Sequence, residues 1–319
     1  MHWSWQTYWL AQAAVCWFLL PLIVAWITIP QLFTVLHEAP IDAMWKSFLL
    51  GMGYGIGGTA FGMAIRYVGI SLTYAIAVGI SCVLGTLLPP WVAGELSTLF
   101  QKNGSGFIIS GISMGTLGIA LCGAAGRFKE LDLTRNKRIE SFSPAKGLPL
   151  CLLAGVLSAV YGFSIAQGAP IAAVAEQYGS GHYKTNVIYI FSNSGAFVTT
   201  LMYCLYLHGK HKTFGEYRQI PGGGNRTLRF NFAMALLTGV LWYGQFFFYG
   251  LGHVRMGAYQ YTSWAIHMIM LVLFSSLAGL ALKEWAAGRT FTKQVLAGAL
   301  VVLTLAVLLL TYGNYLGSK

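Results

Sequence analysis

An all-α fold, a polytopic bundle of about nine transmembrane helices, is what this sequence predicts, and three observations predict it. Hydrophobic residues fill 56% of the 319 positions. Charged residues fill only 9%, against roughly 25% in a soluble domain, so the chain has too little polar surface to coat itself in water. Apolar segments long enough to cross a bilayer recur along the chain, and short loops between them hold the basic residues.

A helix needs about 20 apolar residues to cross the hydrocarbon core. Nine segments qualify: 8–29, 45–67, 70–89, 106–125, 147–168, 185–207, 230–252, 257–282 and 292–315. The first lacks a basic leading region and a small-residue cleavage site, and its apolar run is too long for a signal peptide. It reads as a true span.

Basic residues then orient the chain. With the N-terminus in the cytoplasm, the inside loops hold Arg66, Arg127, Lys129, Arg135, Lys137, Arg138 and Lys146. They also hold Lys210, Lys212, Arg218, Arg226, Arg229, Lys283, Arg289 and Lys293, while only Lys46, Lys102, Lys184, Arg255 and Lys319 fall outside. That bias alternates correctly over nine spans and places the C-terminus in the periplasm or outside. It also accounts for the net charge of +11 without nucleic acid, for which no basic groove with interleaved aromatics is present.

A shift of 188 residues sets Gly51 on Gly239, Tyr54 on Trp242, Phe61 on Tyr249, Gly62 on Gly250 and Gly69 on Gly257. The spans at 70–89 and 106–125 then fall on those at 257–282 and 292–315. The chain divides into a first half, 1–146, with four spans, and a second, 147–319, with five. Repeats of five helices are inverted relative to each other, a common transporter design with the substrate near the midplane. On this reading the first half lacks its usual first helix, through loss or through a start placed too late.

The chemistry of a solute site is sparse. All nine carboxylates map to loops or span ends, so no Asp or Glu stands mid-span, and an intramembrane hydrolase is disfavoured. Cys16, Cys82, Cys122, Cys151 and Cys204 lie in apolar stretches with no Cys-x-x-Cys pair, and neither a metal site nor a cofactor is expected. The run Gly51–Gly58 follows no strand and is no dinucleotide loop; Gly51/Gly55 and Gly58/Gly62 instead suit close helix packing.

His267 is the ionisable residue well inside a span. It titrates near neutral pH in water, and a proton-coupling role stands beside the plainer one of a neutral imidazole bonded to a neighbouring helix. Gln260, Ser263, Trp264 and His267 share one helical face, offering amide and imidazole groups for hydroxyls and a flat ring for a sugar's C–H surface. Tyr259 and Tyr261 near the span end fit either that face or the interfacial belt. In the preceding span Trp242 and Gln245 are polar-tipped candidates, with Tyr54 at the repeat-related position and Asn193 and Gln167 as weaker ones. Lys283–Glu284 reads as a solvated span end.

Gly-Gln-Phe-Phe-Phe-Tyr-Gly-Leu-Gly-His at 244–253, Tyr-Thr-Ser-Trp-Ala-Ile-His-Met at 261–268 and Leu-Lys-Glu-Trp at 282–285 resemble the L-rhamnose–proton symporter family. Trp3-Ser4-Trp5, Arg66 to Ser71, and Gly79-Ile80 through Gly85-Thr86-Leu87 resemble it too. The resemblance covers nearly the whole chain and implies the drug/metabolite transporter superfamily, with ten helices in two inverted repeats. It also implies bacterial inner-membrane uptake of L-rhamnose or a related deoxy-sugar with protons. One departure stands out: the family pattern carries an aspartate between the two tyrosines where this chain has Gln260.

The expectation is therefore a sugar–proton symporter working by alternating access, its site between the spans at 45–89 and 230–282. Gln245, Gln260 and His267 would bond hydroxyls, Trp242 and Trp264 would cover the apolar face with Tyr54 and Tyr259 near them, and His267 would carry the proton. An uncoupled facilitator or exporter of another metabolite, or a non-transporting sugar sensor, are the alternatives.

Overall fold

The structure, a computed structural model, describes residues 3–101, 103–134, 143–219, 224–257, 260–286 and 288–317. Among these residues nine helices are long and apolar enough to cross a membrane. They are Trp5–Thr28, Ile41–Val68, Ile70–Val92, Ser105–Asp132, Pro144–Gln177, Gly181–His211, Asn225–Arg255, Thr262–Ala281 and Thr290–Gly317, hereafter spans 1 to 9. Each expected segment falls on one of them. Helices are the only open-ended choice in hydrocarbon, because every interior N–H and C=O must be satisfied within the segment.

The outer surface is apolar, unlike that of a soluble protein. Large apolar side chains such as Ile23, Trp26, Leu241, Phe248, Val301 and Leu308 point outward, whereas the interior holds Ser81, Ser164, Thr200, Asn231 and a large set of alanines. Outward apolar chains face lipid, and small or polar residues let helices approach and bond one another.

Three spans depart from plain α-helix, span 6 only by a 3-10 turn at Gly181–Tyr183 ahead of its α-helix. Span 1 runs α over Trp5–Ala13, widens to a π-helix over Ala14–Leu19, and resumes α over Leu20–Thr28. Span 5 breaks after Gln167 and continues as a short helix over Ala169–Gln177. Pro170 in that first turn cannot donate a backbone bond, which fixes the break at Gly168.

By contacts the chain forms two compact units, Met1–Ile56 with Ser164–Arg255, and Gly57–Phe163 with Met256–Lys319. Each draws on both sequence halves, so the partition by packing and the partition by repeat cut the chain differently.

In the first unit, glycine decides the helix crossings. A Cβ on Gly51 would strike the Ser192 carbonyl, one on Gly55 would strike Thr199 and Ala196, and one on Gly195 would strike the Phe48 carbonyl. Spans 2 and 6 therefore touch backbone to backbone, the close packing expected of Gly51 and Gly55. Gly239 gives span 7 the same freedom against span 1, where an added Cβ would meet Val15 at 2.7 Å and the Gln12 carbonyl at 2.9 Å. Ser47 and Ser164 close the unit with reciprocal bonds, each hydroxyl donating to the other's carbonyl at 3.0 and 2.8 Å.

The second unit is built on a zipper between spans 4 and 9. Leu296, Ala299, Leu303, Ala306 and Leu310 recur at helical spacing on span 9 and are all buried. Gly111 and Gly118 on span 4 receive Leu310 and Leu303, so large knobs on one helix enter gaps left by missing side chains on the other. Gly69 alone links spans 2 and 3, at φ +83, with the Glu130 carboxylate where its Cβ would stand. A left-handed backbone with no room for a side chain admits only glycine.

Candidate functional site

Sequence-predicted residues of the second unit come first. Trp264 is buried at 5% exposure, with its indole Nε1–H donating to the Ser81 carbonyl at 3.0 Å and lying 3.2 Å from the Ser81 hydroxyl. Its ring packs where Gly85 and Gly162 carry no side chain, and beside Tyr161 with centroids 6.3 Å apart. His267 is half-buried, its ring 5.8 Å from that of Trp264. The Ser263 hydroxyl donates to the Gln260 carbonyl at 2.6 Å, so it serves the helix's first turn. Gln260 itself is half-buried, and Tyr259 lies outside the described residues.

The first unit holds Tyr54, Trp242 and Gln245, all half-buried. Tyr54 stands 5.8 Å from Trp17 and 6.3 Å from Phe246, ring to ring. Trp242 meets Trp9 at 5.7 Å and Trp17 at 6.1 Å, near perpendicular in both pairs. Trp9 and Trp17 meet each other at 6.3 Å and 79°. Three indoles are thus mutually edge to face, the arrangement the ring quadrupole favours.

Span 1 supplies two of those indoles only because of its π turn. Trp9 and Trp17 are eight residues apart, more than two turns at 3.6 residues each. The wider turn at Ala14–Leu19 absorbs the surplus and brings Trp17 back over Trp9. Single π turns inside α-helices concentrate at functional sites.

This cluster carries unmet polarity. Among the described residues, the Nε1 atoms of Trp9, Trp17 and Trp242 take no hydrogen-bond partner, and neither does the Tyr243 hydroxyl. Gln12, one helical turn after Trp9 and 1% exposed, has neither amide atom bonded. Asn231, fully buried on span 7 but about three turns before Trp242 and so apart from the indoles, is in the same condition. Each orphaned buried polar atom costs about 1–3 kcal/mol. Such a concentration is the mark of a place where a hydrogen-bonding solute is received.

Sequence reasoning missed Trp9, Gln12, Trp17 and Asn231. Gln12 sits early in a span that reads as an apolar run, and the π turn that groups the indoles leaves no trace in a 3.6-residue period.

Other polar groups have defined partners, though the Ser180 and Thr200 hydroxyls and the Asn314 side-chain carbonyl oxygen have none among the described residues. A groove of about 470 Å³ between spans 3 and 4 in the second unit is lined by residues such as Leu72, Ile76, Ala120 and Phe128, with Thr116 and Arg127 its polar members. Its lining suits acyl chains and offers little to a hydroxylated solute. At the start of span 1, one oxygen of Glu216 accepts from the Ser4 N–H at 2.8 Å, the Ser4 hydroxyl at 2.8 Å and the Thr7 hydroxyl at 2.6 Å. Next to it, Tyr217 donates to the Thr7 carbonyl at 3.3 Å, and burial holds that phenol above its ordinary range. His208 reaches Tyr217 through Nε2 at 3.1 Å and Thr213 through Nδ1 at 2.7 Å. Since Tyr217 donates onward to Thr7, its oxygen accepts from the His208 Nε2–H. Among the described residues no group of three metal-ligating side chains occurs.

Nine apolar spans, a lipid-facing apolar exterior and an interior with buried polar clusters define a multi-pass helical membrane protein. The chain matches the family described as "L-rhamnose-proton symport protein (RhaT)" over residues 1–315, and it belongs to that family. It is similar to the L-rhamnose-proton symporter of Cronobacter sakazakii, with 32% identity over 96% of this chain and 88% of the relative. The symporter of Pectobacterium atrosepticum is 31% identical over 96% of this chain and 89% of its own length, and that of Escherichia coli O1:K1 is 30% identical over 95% and 88%. No solved structure matches the chain.

Proposed function

We propose that this protein imports L-rhamnose, or a related deoxy-sugar, together with protons across the bacterial inner membrane by alternating access. One observation carries the reading: family membership extends from one end of the chain to the other, over residues 1–315, with relatives of the same name aligned over nearly their full length. Distribution of the basic residues supports a cytoplasmic N-terminus and a periplasmic C-terminus.

On this reading Trp242 and Gln245 contact the sugar in the first unit, with Tyr54 beside them. In the second unit Gln260, Trp264 and His267 are the candidates for the sugar from their shared helical face, and His267 also carries the coupled proton. Tyr259 is assigned to the sugar from its position in the sequence. His267 earns its role as an ionisable side chain within an apolar span, where such groups mark proton paths. Sugar and proton are coupled if each favours the same conformation, so that binding of one raises affinity for the other.

Uptake of labelled L-rhamnose into proteoliposomes, with and without an inward proton gradient, tests this. Accumulation that requires the gradient is expected; equilibration without accumulation would make the protein a facilitator, and absence of flux from folded protein would overturn the reading. His267→Ala should equilibrate the sugar without concentrating it. Gradient-driven accumulation at the wild-type level in that variant would remove His267 from the proton path.

A further inference from the structure

We infer that Gln12 and the three indoles of Trp9, Trp17 and Trp242 form the hydroxyl-recognition site for the transported pyranose. The inference rests on the proposed sugar transport and names residues of span 1 that the sequence left unassigned.

Geometry supplies the first argument. Pyranoses present C–H faces and a rim of hydroxyls, and proteins meet them with flat rings plus fixed donors and acceptors. Within one compact unit, Trp9, Trp17 and Trp242 stand with centroids 5.7–6.3 Å apart, and Tyr54 and Phe246 extend the aromatic wall. Burial is graded: Tyr54, Trp242 and Gln245 are half-buried, while Gln12 and Trp17 are enclosed at 1% and 0%. Gln12 lies one helical turn after Trp9 on span 1, and its backbone carbonyl stands against Gly239, three residues before Trp242.

Unmet hydrogen bonding supplies the second. Three indole N–H groups and both atoms of the Gln12 amide find no partner among the described residues. A purely structural core would place Phe and Leu at these positions at no polar cost. Three donors plus one donor–acceptor amide match a ring of sugar hydroxyls, each of which gives one hydrogen and accepts others.

The π turn supplies the third. It sets Trp17 over Trp9 and lies between Gln12 and the rest of span 1, so the wide turn and the unmet amide are neighbours.

A binding role and a structural role predict opposite stabilities. Gln12→Leu keeps the volume and removes an amide without partners, so the unliganded protein should melt at the same temperature or higher. Trp17→Phe keeps a ring and removes the N–H. Equilibrium binding of labelled L-rhamnose to the purified full-length protein, read beside thermal unfolding, separates the two. Trp26→Phe, at a lipid-facing position that is 64% exposed, serves as control.

At least an about tenfold loss of affinity in Gln12→Leu, a smaller loss in Trp17→Phe, and no fall in melting temperature would support the site; tenfold corresponds to about 1.4 kcal/mol. Binding within about twofold of wild type in both variants would overturn it and leave sugar transport standing. A marked fall in melting temperature in Gln12→Leu would assign the amide to the fold and overturn it as well. A wild-type protein that binds no L-rhamnose would overturn the site together with the proposed function.

Discussion

Trp264 shows how one residue's surroundings decide its work. Its ring occupies the space that Gly85 and Gly162 leave open, and its N–H is held by the Ser81 carbonyl. A side chain at 85 would collide with the indole, and the indole cannot turn away without losing that bond. Gly85→Val should therefore destabilise the protein by about 1–3 kcal/mol through overpacking. Trp264→Phe should cost about 1 kcal/mol for the lost bond to Ser81, whose carbonyl keeps its intrahelical donor, plus the smaller ring's packing loss. Thermal unfolding of the detergent-solubilised variants measures both, and an unshifted midpoint in either would contradict the packing described. The tryptophan was visible in the sequence as a deep aromatic beside His267. Its bond to Ser81 was not, because the two residues are 183 positions apart.

Among the elements, helix ends organise the loops. Among the described residues the carboxylates lie off the span centres, as their positions in the sequence foretold, and two of them have a defined task there. Glu216 gathers three donors from the start of span 1, and Asp132 accepts from the Arg289 N–H at 3.0 Å and the Thr292 hydroxyl at 2.8 Å at the start of span 9. A carboxylate at a helix N-terminus satisfies otherwise unpaired N–H groups and opposes the positive end of the dipole. Glu216→Ala should loosen span 1 at a cost of about 1–3 kcal/mol, with Glu216→Gln recovering part of it. Amide hydrogen exchange over the first turns of span 1 reads the effect directly: faster exchange confined to that end is expected, and unchanged exchange would mean the carboxylate holds nothing. By contrast the pair of half-buried Lys129 with exposed Glu284, 3.8 Å apart, should contribute little, as surface ion pairs do.

Among the described residues the chain has nine apolar spans, and glycine, alanine and hydroxyl residues let them approach closely enough for buried leucines and aromatics to pack. Gly111→Leu and Gly118→Leu test that logic in the second unit. Each fills the gap that receives Leu310 or Leu303, and each should lower yield and melting temperature, whereas Val301→Leu on the lipid side should change neither. Equal tolerance at all three positions would contradict the zipper. Orientation is tested by reporters fused at the C-terminus: one active only outside the cytoplasm should report, and one that fluoresces only inside should stay dark. The opposite pattern would invert the topology proposed from the basic loops.

The sequence by itself determined that the chain lives in a membrane, how many times its helices are suited to cross, and which family it resembles. Those properties are sums over local composition, and a 20-residue apolar run means the same thing whatever it packs against. It also marked Gly51/Gly55 and Gly58/Gly62 as close-packing pairs, since glycine inside a span costs stability unless another backbone must come close. Only the tertiary structure decided which polar groups are answered and which are not. Trp264 and Gln12 look alike in the sequence, each a polar-tipped residue in an apolar helix. One donates to Ser81 and the other has no partner among the described residues. Hydrogen-bond satisfaction depends on residues hundreds of positions away, and on a π turn that shifts one helix's register. No local pattern carries that information.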